Sequence, residues 1–125
     1  MSEAFTVYLR SAEKVLLMQR ADEVADFPGA WDGIYGIGEP HDTDTVVARV
    51  TECTGIPAEN LELVRSGMAR GLEFGNRLND VTPILFVTSE SEVRPRTLYK
   101  NHEWVDPGTI QRKEYATPQL RDMYG

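Results

Sequence analysis

In the stretch DTDTVVARVTECTGI, residues 42–56, an arginine, a glutamate and a cysteine fall at positions 49, 52 and 53. On a helix, residues three and four apart lie on one edge, so these three side chains project together. Each brings a different chemistry. A carboxylate is a ligand for a hard divalent cation, a guanidinium matches the geometry of a phosphate, and a thiolate is a nucleophile. Arg49 and Glu52 stand at i and i+3, so a mutual ion pair, contributing a few tenths of a kcal/mol if exposed, is the simplest account of both. Cys53 falls beside Val46 at the border of the apolar face and is expected to pack as a small hydrophobe.

Other residues carry weaker signals. Trp31 and Trp104 are plausible walls for a base or another flat group, with core packing an equal reading for each. The segment VRPRTLYKN (93–101) has no acid and places Arg94, Arg96 and Lys100 close together, where they either line an anion pocket or form a solvated loop. His41 and His102 are isolated, without metal-ligand spacing or a paired cysteine. GIYGIGE lacks the third glycine and the helix opening of a dinucleotide fingerprint.

The elements that must position these groups follow from periodicity. FTVYLR (5–10) and KVLLMQR (14–20) are β-type runs joined by SAE, a hairpin or meander. ADFPGAWDGIYGIGEP (25–40) combines a Pro-Gly turn with a short apolar strand leading into a ligand-facing loop. From Thr43 to Thr54, Val46, Val47 and Val50 share a helical face; Asp42 or Thr43 caps the start, and Gly55 followed by Pro57 ends it. LELVRSGMARGLEF (61–74) and VTPILFVTS (81–89) read as long strands with NRLND as the turn between them. NHEWVDP (101–107) reads as a short strand, and TPQLRDMYG as a Pro-initiated terminal helix. Strands around one or two helices predict a single mixed-sheet α/β or α+β domain spanning residues 1–125.

The order of KVLLMQR, FPGAWDGIYGIGE, a helix ending ECTGI, then TPILFV and EWVDPGTI resembles the Nudix (MutT-like) superfamily from Val7 to Leu120. The resemblance implies an α/β/α sandwich with a mixed sheet and hydrolysis of nucleoside diphosphate-linked compounds assisted by Mg2+ or Mn2+. That family's box runs Gly, five residues, Glu, seven residues, then Arg-Glu-apolar-any-Glu-Glu-any-Gly-apolar. Anchored at Gly55 and Ile56, it sets Ala48 at the structural arginine, Arg49 at the first helix glutamate, Glu52 at the second and Cys53 at the third. Glu52 is the one retained carboxylate, and the resemblance makes it the catalytic residue and a metal ligand. Gly36 resembles the first glycine and Glu39 the acid that commonly follows it, which adds both to the metal set; Asp42 and Asp44 compete for the remaining acidic position. Arg20 corresponds to a residue reaching a substrate phosphate, with a surface ion pair as its rival reading.

The altered box separates fold from mechanism. A guanidinium about 5 Å from a divalent ion costs roughly 6 to 7 kcal/mol at an effective dielectric of about 20, enough to cancel ordinary weak magnesium binding. The expectation is a Nudix-like protein with weak or absent standard metal-dependent hydrolysis, or a catalytically silent module. Such a module binds a nucleotide, another phosphorylated ligand through Arg20, Trp31 and Arg49, or a protein partner. The isopentenyl-diphosphate isomerase branch needs a cysteine near the box loop, and IYGIGEPH has none.

Composition agrees with a folded domain: 125 residues, 41% hydrophobic and 26% charged. A chain of this size buries roughly two-thirds of its unfolded surface and folds without disulfides or structural metal, and one cysteine permits no intrachain bridge. With 20 acidic and 13 basic side chains the net charge is −7, which repels nucleic-acid backbones and anionic membranes. The opening MSEAFTVYLRSAEKV interrupts every apolar run with charge, so neither a secretory signal nor a span is expected and the protein is expected in the cytoplasm. The oligomeric state is left open, with a homodimer among the options.

Overall fold

A computed structural model describes residues 2–24, 27–74, 77–94, 99–114, 116–117 and 120. Strand β1 (Ser2–Ser11) alternates Phe5, Val7 and Leu9 on one face with Ala4, Thr6 and Tyr8 on the other, and all six are buried. Such two-sided burial requires a central strand. β1 turns antiparallel into β2 (Lys14–Arg20), and further along the same side it pairs with β4 (Ile34–Ile37), in register Ala4↔Ile37 to Val7↔Ile34. The short β3 (Trp31–Asp32) and β8 (Tyr99–Val105) both pair with β2. On its other side β1 runs parallel to β7 (Arg77–Val87), which carries β5 (Glu62–Ser66) and β6 (Arg70–Phe74) along its far edge. The result is an eight-stranded mixed sheet.

One helix, α1 (Thr43–Thr54), lies across one face. The Asp42 carboxylate accepts the Thr45 N–H, and Gly55, at φ 78°, donates its N–H to Thr51 O; both ends are therefore satisfied as the sequence indicates. Val46, Val50 and Cys53 pack from α1 onto Phe5, Val7, Leu9, Ile34, Ile84 and Phe86. The opposite face is closed by a 3-10 segment, Pro107–Arg112, whose Ile110 packs with Leu120 onto Tyr8, Val15 and Leu17. The fold is thus α/β with a mixed sheet and one α-helix among the described residues. Apart from Thr117 and Leu120, the expected terminal helix lies outside them.

Three boundaries differ from the sequence reading. The 61–74 run is two strands, because Pro83 on β7 has no N–H to give and its ring presses on Gly67, where a Cβ would stand 2.8 Å from Pro83 Cγ. Pairing is reduced there to the Gly67 N–H on Pro83 O, 2.8 Å. Arg77–Asp80 of NRLND are strand rather than turn, since they continue the β6 and β1 registers. The last strand starts at Tyr99, whose ring is buried under α1.

Candidate functional site

The site is built around the backbone of Tyr35. Arg49, projecting from α1, donates Nε–H to Tyr35 O at 3.0 Å and Nη1–H to Glu52 Oε1 at 3.3 Å. Its aliphatic stem lies over Gly36, where a Cβ would come within 2.4 Å of the Phe5 ring and 3.1 Å of Arg49 Cγ. Glycine is required at that position because the helix edge and the core aromatic both close on it. The Arg49 side chain is 20% exposed and that of Glu52 60%, so the pair sits with one member half inside the sheet–helix seam and the other at the surface. Among the described residues Nη2 of Arg49 has no partner. A guanidinium carries five N–H donors, and the remainder are available to an anion.

Behind this arrangement is a second, buried set of polar groups. Tyr35 N–H donates to the Tyr99 hydroxyl at 3.0 Å. Arg20 bonds Asp32 at 3.1 Å, with Asp32 fully buried, and the Arg20 guanidinium lies 5.4 Å from the Tyr35 ring centroid. Asp32 also accepts the Gly33 N–H at 2.7 Å. Burial, reinforced by the Asp32 charge, raises the Tyr99 phenol well above its ordinary range, so it stays protonated. Arg20 therefore makes a buried ion pair rather than a surface one. Breaking such a pair leaves an uncompensated charge, which gives Arg20 a structural duty whether or not a ligand approaches.

The structure brings Arg20, Gly36, Arg49 and Glu52 around Tyr35, and separates the rest. Trp31 faces away from α1: it pairs with Gln19, contacts the cluster of Tyr8, Val15 and Leu17, and carries Lys113 Nζ 4.1 Å from its ring centroid. The structure does not bring Trp31 together with Arg20 and Arg49: strand alternation turns Trp31 to one face of the sheet and Asp32, with Arg20, to the other. Trp104 is on the α1 side, packed against the core with Nε1–H on Ser91 O at 2.9 Å. Arg94 pairs with Glu92 at 3.6 Å and Lys100 with Asp22 at 2.8 Å; Arg96 lies outside the described residues.

The acidic candidates are engaged elsewhere. Glu39 accepts the His41 N–H at 3.0 Å, which holds its carboxyl below the usual range, while Glu3 is held above it by sharing a hydrogen bond with Glu39 and facing its charge. Asp42 caps α1 and also accepts the Thr45 hydroxyl at 2.9 Å. Asp44 and Glu52 border the same open groove of about 570 Å³ on the outer side of α1, but eight residues separate them, about 12 Å of helix rise, too far to share one ion. Burial pushes the Cys53 thiol up to about 11, so it remains a neutral core group. Among the described residues no three His, Cys, Asp or Glu side chains converge. Glu52 with the Gly36 backbone and Glu39 does not fit a magnesium or manganese ion in this arrangement, because the guanidinium of Arg49 already fills the gap between Tyr35 O and Glu52.

Tyr35, Asp32 and Tyr99 escape sequence reasoning. Their roles come from partners 12 to 64 residues away, and no local spacing marks them.

No family model and no curated protein matches this sequence. Solved structures do resemble it. The Nudix hydrolase RenU from M. smegmatis superposes with a TM-score of 0.78 at 21% identity, over 95% of this chain and 78% of that one. The MutT protein from Methanosarcina mazei Go1 gives 0.79 at 20% identity, over 98% and 89%. The NUDIX domain of Shewanella oneidensis NrtR, complexed with ADP ribose, gives 0.73 at 15% identity, over 97% and 82%. At these identities the likeness is one of backbone, and it establishes that this chain has the Nudix hydrolase fold.

Proposed function

We propose that this protein uses the Nudix cleft to bind a phosphorylated small molecule or nucleotide, with Arg49 in place of a divalent cation, and that standard metal-dependent hydrolysis is weak or absent. The observation carrying this reading is the double engagement of Arg49 with Tyr35 O and Glu52. The helix edge that holds a metal in the resembled family here holds a fixed positive charge with unused N–H donors. Such a charge needs no ion to attract phosphate oxygens and orients them through its planar fork.

The NrtR domain's complex with ADP ribose makes that compound the first probe, with inorganic pyrophosphate as a minimal second. Calorimetry in EDTA is expected to detect binding of at least one of them, and Arg49→Ala to weaken it about tenfold to a hundredfold, the size of a lost charge-assisted contact. Unchanged affinity in folded Arg49→Ala contradicts the assignment.

A second reading, which the resemblance implies, is a hydrolase acting on a nucleoside diphosphate derivative with Glu52 as its catalytic carboxylate; it requires Arg49 to swing off Tyr35 O and Glu52 and the acidic side chains to regroup when a metal binds. The exposure of Glu52 favours it, since its carboxylate is reachable from solvent. Turnover of nucleoside di- and triphosphates, nucleotide sugars or dinucleoside polyphosphates with Mg2+ or Mn2+, lost in Glu52→Gln, selects this reading over the first.

A further inference from the structure

β5 ends the sheet. Among the described residues no strand pairs beyond it, and all five residues Glu62–Ser66 are exposed. Among the described residues, three of the four exposed large apolar side chains lie on or just after it: Leu63 at 43%, Val64 at 50% and Met68 at 87%. An open edge offers a row of unpaired N–H and C=O groups to another strand. What distinguishes this edge is its charge order. Glu62 pairs with Val87 and Arg65 with Leu85, whereas Leu63 pairs with Phe86 and Ser66 with Ile84. Ile84 and Phe86 face α1 and Leu85 packs on the opposite cluster, so Leu63 and Ser66 share the helix side while Glu62 and Arg65 share the other. Residues three apart normally point to opposite faces; the bulge between Leu63 and Arg65 puts this pair on the same one. Neither Glu62 nor Arg65 has an ion pair among the described residues.

We propose that β5 is the contact strand for a second copy of this chain, running antiparallel about a two-fold axis at the Leu63–Val64 bulge. In that register Glu62 meets the partner's Arg65 and Arg65 meets the partner's Glu62, on one face, with Leu63 and Val64 apolar at the axis. Opposite charges facing across an antiparallel pair stabilise it and like charges destabilise it. A parallel copy would set Glu62 against the partner's Glu62. The same two charges therefore admit an antiparallel copy and reject the parallel one, an isologous contact with built-in discrimination.

Sedimentation equilibrium of the full chain tests this. Wild type is expected to dimerise; Glu62→Arg and Arg65→Glu, each folded by circular dichroism, are expected to raise the dissociation constant about tenfold or more by creating two like-charge pairs. The combined swap restores complementarity and is expected to return dimerisation to near the wild-type level. A wild-type chain monomeric at every concentration, a dimer indifferent to the single swaps, or a folded double swap that fails to recover overturns the proposal.

Discussion

Arg49 has five N–H donors, and the structure places two of them: one on a main-chain carbonyl of β4, one on the neighbouring carboxylate. This pair was legible in the sequence because i and i+3 on a helix are neighbours whatever the rest of the chain does. The Tyr35 carbonyl was not legible, since it comes from a strand fourteen residues earlier. Cys53 was legible as a core residue for the same reason as Arg49, its place on the helical wheel. Its chemistry yields a prediction. Burial raises the folded-state thiol to about 11, so the fold favours the neutral form. That contribution is complete below the unfolded value of about 8.5 and is lost as pH climbs towards the folded one, by about 3 kcal/mol in all. Urea unfolding between pH 9 and 11 under reducing conditions is expected to show a falling stability whose slope is shallower in Cys53→Ala. Equal slopes in the two proteins refute the assignment.

Helix α1 illustrates what a sequence reveals about an element. Its cap, its stop and its apolar face were all readable, because each is a local residue choice with a local partner. Asp42→Ala removes the N-cap acceptor for Thr45 N–H and Thr45 Oγ1 and is expected to cost about 1 kcal/mol of unfolding free energy by chemical denaturation. Gly36 is the element-scale position with most at stake. A methyl there meets the Phe5 ring at 2.4 Å and the Arg49 stem at 3.1 Å, so Gly36→Ala is expected to destabilise by about 1 to 3 kcal/mol and to shift Arg49. Its anion affinity falls with its stability, whereas Asp42→Ala leaves affinity unchanged in the folded fraction. The break in the 61–74 run was hidden from the sequence because Pro83, which causes it, lies on the partner strand. Register decides that, and register is a tertiary property.

At the scale of the whole molecule, the mixed sheet separates two surfaces. The face under α1 holds Arg20, Arg49 and Glu52, while Trp31 and Lys113 belong to the other. The order of strands and helix was readable because periodicity and turn chemistry accumulate along the chain, but the side of the sheet on which an isolated tryptophan emerges depends on the pairing of β3 with β2. On the proposed reading, Arg49 supplies from the chain the positive charge that the resembled family recruits as a metal ion. The net charge of −7 would draw metal ions loosely to many places, so the distinguishing quantity is a saturable site, and the variant must leave the core intact. Arg49→Glu does so, whereas a charge at buried Cys53 would not. The decisive measurement is titration with Mn2+, with free ion followed by electron paramagnetic resonance, on wild type, Arg49→Glu and Glu52→Gln. If Arg49 stands in for the metal, wild type and Glu52→Gln show no saturable site, and Arg49→Glu gains one, where two carboxylates and the released Tyr35 carbonyl face each other. A saturable wild-type site that disappears in Glu52→Gln contradicts that role.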